Sequence, residues 1–209
     1  MIAVYDSKWF MRVVEIAKRR GTLFTYYYTS ESVPYGSVVY TDYKPIVEEL
    51  KERTDILLIL DQQKSCKAFE YAILASMFSN EYRNVVVGID PGHTLSYVVL
   101  GDDNLILYGD GDLDSFKQDF NYVLNCVPHV EIRVKVGTGY RCAEVIEYIK
   151  RDYASIPVEL VDETSTTPSS SRLDEVLYLA RRLRGVKPFR HKDIYAAYRI
   201  ALSRGIEVI

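Results

Sequence analysis

Val85-Val86-Val87-Gly88-Ile89-Asp90-Pro91-Gly92 is the stretch on which the reading of this chain turns. Its β-branched residues predict a central strand, and Asp90-Pro91-Gly92 ends that strand with a carboxylate and two turn formers. Downstream, Tyr97–Leu100 and Leu105–Tyr108 read as two further strands. Gly101-Asp102-Asp103-Asn104 between them has the chemistry of a hairpin turn. Ser115–Leu124 suits a helix, and Val130–Val136 alternates apolar and polar residues as a strand does before Gly137-Thr138-Gly139. Helix Ala143–Tyr153, strand Val158–Val161, helix Arg172–Leu183 and a last helix from Lys192 to Arg204, stopped by Gly205, complete this half.

Upstream, Ile2–Tyr5 predicts a short strand, and Asp6 or Ser7 can cap a helix whose apolar positions run from Trp9 to Ala17. Lys18, Arg19 and Arg20 complement its C-terminal dipole, and Gly21 ends it. Thr22–Tyr28 is β-rich, Val38–Tyr40 is a short strand, Lys44–Arg53 a helix, Ile56–Leu60 a buried strand and Ser65–Phe78 a helix. Alternating strands and helices predict an open, mostly parallel α/β sheet. The polar run Ser79–Asn84 interrupts the pattern, and a domain boundary is placed there. Thr164–Ser171, TSTTPSSS, reads as an exposed loop or helix lead-in.

The 209 residues have room for one large or two small domains, with apolar and charged fractions that permit a real core. No run approaches the roughly 18 apolar residues of a membrane span. MIAVYDSKWF lacks the basic start and cleavage site of a signal peptide, so a cytoplasmic protein is expected. Cys66, Cys126 and Cys142 are sparse and never form a CxxC pair; single thiols are expected, not a disulfide framework or zinc site. Five Asn and three Gln beside many charged residues fit a thermophile. Net charge is −3, and the first 82 residues hold ten Lys and Arg against eleven Asp and Glu. A nucleic-acid footprint must therefore be local.

Acids fall where chemistry would need them. Asp90 ends the first strand of the second half, Asp162 and Glu163 end its last, and Asp193 opens the final helix. Strand ends on one edge of a parallel sheet converge on one crevice. Hard cations such as Mg²⁺ are held by a few carboxylates with water and phosphate oxygens. Two such ions about 4 Å apart can generate a hydroxide and stabilise a leaving oxygen in phosphodiester cleavage. No acid lies between Glu175 and Asp193, whereas Arg181, Arg182, Arg184, Lys187, Arg190 and Lys192 do; they are the candidate phosphate grip. His191 is either a proton carrier or an exposed loop residue, and Thr138-Gly139 offers backbone N–H groups to an anion.

VVVGIDPG resembles the first-strand signature of RuvC-like nucleases, VELVDETSTT the strand-five Asp-Glu-Arg-x-Thr signature of the YqgF branch, and HKDIYAAYRIAL that branch's closing helix. The resemblance covers roughly residues 84–209. The upstream alternation gives an N-terminal Rossmann-like open-sheet domain of unknown role, residues 1–82, and the resemblance implies that a ribonuclease H-like mixed-sheet domain, residues 83–209, follows it. It further implies Mg or Mn held by Asp90, by Asp162 or Glu163, and by Asp193, acting on branched DNA (as a Holliday junction resolvase does) or structured RNA. A homodimer is admitted, and a membrane is not. Two positions depart from the pattern: Ser96-Tyr97 stands where the family usually has a Gly, and Thr164 replaces the Arg of the Asp-Glu motif. The acid that RuvC-type enzymes carry after the fourth strand is missing from Lys135–Gly139. A catalytically silent nucleic-acid-binding or scaffold protein is thus the alternative. An ATP-binding domain of the actin/hexokinase-like class would need a second phosphate loop and an adenosine motif, neither of which is present. In the first half, Asp6, Asp42 and Asp61 are read as caps and turns in preference to an acidic pocket.

Overall fold

The computed structural model describes residues 1–162 and 192–208. The chain divides into two units, one of residues 1–81 with Tyr122–Pro128, the other of residues 82–121 with residues 129–209.

In the first unit, β1 (Ile2–Ala3) is only two residues long. Asp6 accepts a hydrogen bond from Trp9 N at 2.8 Å and caps α1 (Ser7–Arg19), which buries Val13, Val14, Ile16 and Ala17. Gly21 follows with φ +59°, the left-handed conformation that glycine adopts without strain. Thr22–Tyr28 forms no ladder. So short a β1 offers it a single bridge, Ile2 to Tyr26, flanked by Ile2 N to Thr25 O at 2.8 Å and Tyr27 N to Ile2 O at 3.0 Å. β2 (Val38–Thr41) lies between β1 and β3 (Leu57–Leu60), parallel to both. Helices α2 (Lys44–Leu50) and α3 (Cys66–Ala75) complete the unit's α/β pattern.

Alternation along β2 sends Tyr40 into a cluster with Ile16, Phe69 and Ile73, and Val39 into another with Ile46 and Leu50. β3 departs from the buried strand expected of Ile56–Leu60. Among the described residues it is an edge strand, and Leu57 and Leu60 are 44% and 38% exposed.

Cys66 and Cys126 form a disulfide, with Cα atoms 5.3 Å apart, which corrects the expectation of three single thiols. Their separation of 60 residues carries no spacing signal, and α3 and the Tyr122–Pro128 segment bring them together. The same segment supplies Tyr122, whose hydroxyl donates to Glu70 at 2.5 Å, while Arg20 Nε lies 3.1 Å from the other Glu70 oxygen. Glu70 is fully buried and Arg20 nearly so. Burial pushes the Glu70 carboxyl above the usual carboxylate range, against the pull of Arg20 and Tyr122.

The second unit is a mixed sheet in the order β6-β5-β4-β7-β8-β9. Its central strand β4 (Tyr82–Pro91) begins within the polar run placed at the domain boundary, because Tyr82 and Asn84 pair with His129 and Glu131 of β7 (His129–Gly137). β5 (Leu95–Gly101) and β6 (Asn104–Gly111) form the expected hairpin antiparallel to β4. Asp102 and Asp103 turn it at φ 46° and 66°, as a tight hairpin requires. Helix α4 (Leu113–Cys126) leads to β7, and α5 (Cys142–Asp152) to β8 (Val158–Val161), both strands running parallel to β4 and its order. Helix α6 (Lys192–Leu202) is followed by β9 (Ile206–Glu207), a short edge strand antiparallel to β8 that its two-residue length hid from the sequence pattern. The expected helix Arg172–Leu183 lies outside the described residues.

The two faces of β4 are covered differently. Val85, Val87 and Ile89 are fully buried; Tyr97, paired with Ile89, packs its ring 5.2 Å from Phe116 of α4. Val86 packs with Val98, Leu100, Ala197, Tyr198 and Ala201, so the alternate face carries α6. A strand buried on both faces needs no polar alternation, which is why Val85–Ile89 reads as a continuous apolar run.

Candidate metal centre

Gly88 sets the geometry. A Cβ built there would lie 2.3 Å from the Ala197 carbonyl oxygen and 2.6 Å from Ala201 Cβ, so α6 rests on the backbone of β4 with no side chain between. At the other end of that contact, Ala201 and Leu202 line a hollow with Arg83, Asn84 and Val86 from the start of β4. The helix therefore runs against the strand. Its first turn is directed toward the strand's carboxyl end, where Asp90 stands. Asp193 is four residues before Ala197 and eight before Ala201, on the stripe of α6 that faces β4. Asp90, two residues beyond Gly88, shares the α6 face. Asp90 is half-buried and Asp193 exposed.

The ladders place the remaining residues. Asp90 pairs with Ser96, and Ser96 with Asp110. On the other side, Ile89 pairs with Val136, and Gly137 with Val161. One row across the sheet thus reads Asp110, Ser96, Asp90, Gly137, Val161, and directly paired side chains share a face. Asp162 is the first residue past β8 and is exposed. Two strand spacings put it about 10 Å from Asp90, backbone to backbone. Asp90, Asp162 and Asp193 are thus brought to one end of the sheet by β4, β8 and α6. Among the described residues no group of three or more His, Cys, Asp or Glu is arranged to hold a metal ion. Glu163, Arg181, Arg182, Arg184, Lys187, Arg190 and His191 lie outside the described residues; Lys192 is exposed on the first turn of α6.

Ser96 is the residue that sequence reading missed. It sits within β5 and not in the turn after β4, it is 1% exposed, and its hydroxyl has no hydrogen-bond partner. A buried hydroxyl left unpaired costs about 1–3 kcal/mol. Counting back from the Asp102-Asp103 turn would set Ser96 opposite Gly109; the register shift between Val99 and Leu100 sets it opposite Asp110 instead, and no sequence pattern announces that shift. Asp110 was missed for the same reason.

The residue types at this end of the sheet are those that would suit a hard divalent cation. Asp90 and Asp193 carry the oxygen donors that such an ion takes, and neither thiol nor imidazole is needed. Lys135, in the stretch that lacks the expected acid, is committed elsewhere: its Nζ donates to Ser203 O at 2.5 Å and lies 3.6 Å from Glu159, anchoring the chain just beyond α6. The segment after β7 is tied to the last residue of β4 by Arg141 N donating to Pro91 O at 2.9 Å. Arg141 grips Glu144 through two hydrogen bonds of 2.7 and 2.8 Å, and each raises or lowers its partner's pKa toward the charged form.

The acids of the first unit differ. Asp6 caps α1 and takes Lys64 Nζ at 2.6 Å; Asp42 accepts from Tyr5 N and Asp6 N; Asp61 accepts from Tyr40 Oη and Ser65 N. All three act as caps and turn residues.

No family model matches the chain, and no curated protein matches it. Among solved structures, RuvC of T. thermophilus in complex with a Holliday junction substrate is similar at 16% identity and TM-score 0.41, over 57% of this chain and 91% of that one. Marinitoga piezophila Argonaute in complex with a 5' OH guide RNA follows at 11% identity and TM-score 0.29, over 78% of this chain and 39% of that one. The same Argonaute with guide RNA and target DNA gives 12% identity and TM-score 0.28, over 78% of this chain and 38% of that one. This chain thus spans well under half the length of the Argonaute chains. No helix among the described residues is long and apolar enough to cross a membrane.

Proposed function

We propose that the second unit is a ribonuclease H-like domain of the RuvC/YqgF type that hydrolyses phosphodiester bonds in structured nucleic acid with a divalent cation, Mg²⁺ or Mn²⁺. The observation that supports the reading is the close seating of α6 on Gly88, a contact in keeping with Asp193 at the helix start serving beside Asp90 at the strand end. Asp90 would be the central ligand, with Asp193 and one of Asp162 and Glu163 beside it. A cation held there would activate water and stabilise the departing oxygen. The chain's own part is to fix the carboxylates on a rigid strand and helix and to admit the phosphate from the open end of the sheet. Arg181, Arg182, Arg184, Lys187, Arg190 and Lys192 are proposed to neutralise the phosphates, and domain 1–82 to serve assembly, including a homodimer.

The test uses labelled four-way junction, flap and structured RNA substrates with Mg²⁺, Mn²⁺ or EDTA, for the wild type and Asp90→Asn. Cleavage that requires the metal and is lost in the variant supports the reading and identifies the substrate. Binding without cleavage under every condition replaces it with the second reading, a catalytically silent nucleic-acid-binding protein. That alternative is favoured by one observation, Thr164 standing where the Asp-Glu motif carries an Arg.

A further inference from the structure

We infer that Ser96 is a positioning residue of the cation site, its hydroxyl holding a water of the hydrated cation against Asp90; the inference rests on the metal-dependent reading above. Three observations meet at this residue. Ser96 is the direct cross-strand partner of Asp90, so both side chains leave the sheet on the face that carries α6. It is 1% exposed. Its Oγ lacks any hydrogen-bond partner, alone among the buried Ser and Thr hydroxyls of the described residues.

Other hydroxyls in the molecule show what an ordinary one does. Thr41 Oγ1, fully buried, donates to Ala3 O at 2.7 Å, and Ser76 Oγ donates to Ile73 O at 2.6 Å. Each is absorbed by a nearby carbonyl. Ser96, paired with β4 and β6 on either side, makes no such bond. A hydroxyl both donates and accepts, which suits it to a water bound to a cation; Mg²⁺ in particular keeps several waters when few carboxylates hold it.

The experiment is Mn²⁺ titration of the full chain, followed by the EPR signal of free Mn²⁺, together with thermal unfolding in EDTA and in Mn²⁺. Wild type, Ser96→Ala, Ser96→Thr and Asp90→Asn are compared. In EDTA, Ser96→Ala is expected to melt at or above the wild-type temperature, because it removes a hydroxyl that nothing satisfies. Its Mn²⁺ affinity is expected to fall about 10-fold, the lower end of what loss of an outer partner costs a metal site. Ser96→Thr, which keeps the hydroxyl, restores binding. Wild-type affinity in Ser96→Ala, with binding lost in Asp90→Asn, overturns the role of Ser96 and leaves the cation reading standing. A fall in melting temperature of Ser96→Ala in EDTA also overturns it, since the hydroxyl would then have a partner in the metal-free protein. Absence of Mn²⁺ binding by the wild type overturns both.

Discussion

Both units place aspartates at the carboxyl ends of parallel strands, yet the two sets differ in what they touch. In the first unit Asp6, Asp42 and Asp61 are absorbed by α1, by the backbone of Tyr5 and Asp6, and by Tyr40 and Ser65. In the second, Asp90 faces a buried hydroxyl without a partner and the first turn of an incoming helix. A strand-end carboxylate whose lone pairs are taken up locally stabilises a turn. One set beside a buried hydroxyl that nothing satisfies is the kind proposed above to serve a ligand. The distinction between structural and chemical aspartates lies in those neighbours and is invisible in the residue type.

The sharpest way to break this contrast is to remove one aspartate of each kind. Asp90→Asn should lower cleavage on the order of 100-fold or more, the effect of losing several kcal/mol of charge stabilisation, with little change in melting temperature. Asp61→Ala should do the reverse: it leaves the buried Tyr40 hydroxyl short of its acceptor, at a cost of about 1–3 kcal/mol by denaturant unfolding, and leaves cleavage intact. Loss of cleavage in Asp61→Ala at unchanged stability would erase the distinction.

A stability effect larger than that of Asp61→Ala belongs to the first unit. Glu70→Ala takes the carboxylate from the buried Arg20 guanidinium and should destabilise by about 3–5 kcal/mol. Urea unfolding followed by near-ultraviolet signals checks it, and a change under about 1 kcal/mol would show that the pair is dispensable. Gly88→Ala sharpens the other side. Its added Cβ overlaps Ala197 O and Ala201, so about 1–3 kcal/mol should be lost, and Mn²⁺ binding should weaken as α6 is lifted from β4. Wild-type Mn²⁺ affinity in this variant would separate Asp193 from the site.

The smallest expected effect concerns pH. Ser115 N and Oγ donate to Asp112 at 2.8 and 2.7 Å and hold its carboxyl below the usual aspartate range. A carboxyl lowered in the folded state contributes stability that is fully present above its unfolded pKa, about 3.9, and is lost as pH falls through the folded value. Asp112→Ala should therefore melt below the wild type at neutral pH and converge with it in acid. A difference that persists unchanged into acid would assign the cap to the Ser115 hydroxyl.

Much of the fold was legible before any coordinates. Periodicity located α1, β4 and its hairpin, β7, α5, β8 and α6, since each buries a face whose spacing is written locally. The short elements were harder: Thr22–Tyr28 looked like a strand but meets only a two-residue partner. Of the candidate site, Asp90 and Asp193 could be named from their places at a strand end and a helix start. Ser96 and Asp110 could not, because their meeting depends on hairpin register across an irregular ladder.

By itself, then, the sequence determined the α/β alternation, the hairpin turn and the acids at element ends, all consequences of interactions within a few residues. Tertiary structure alone decided that Cys66 joins Cys126, that Glu70 meets Arg20 and Tyr122, and that β3 is an edge. It also decided that Gly88 admits α6, and that Ser96 is buried beside Asp90 with its hydroxyl unspent. The physical reason is common to them: burial and pairing between residues far apart in the chain depend on the packing of whole elements, and no local period encodes them.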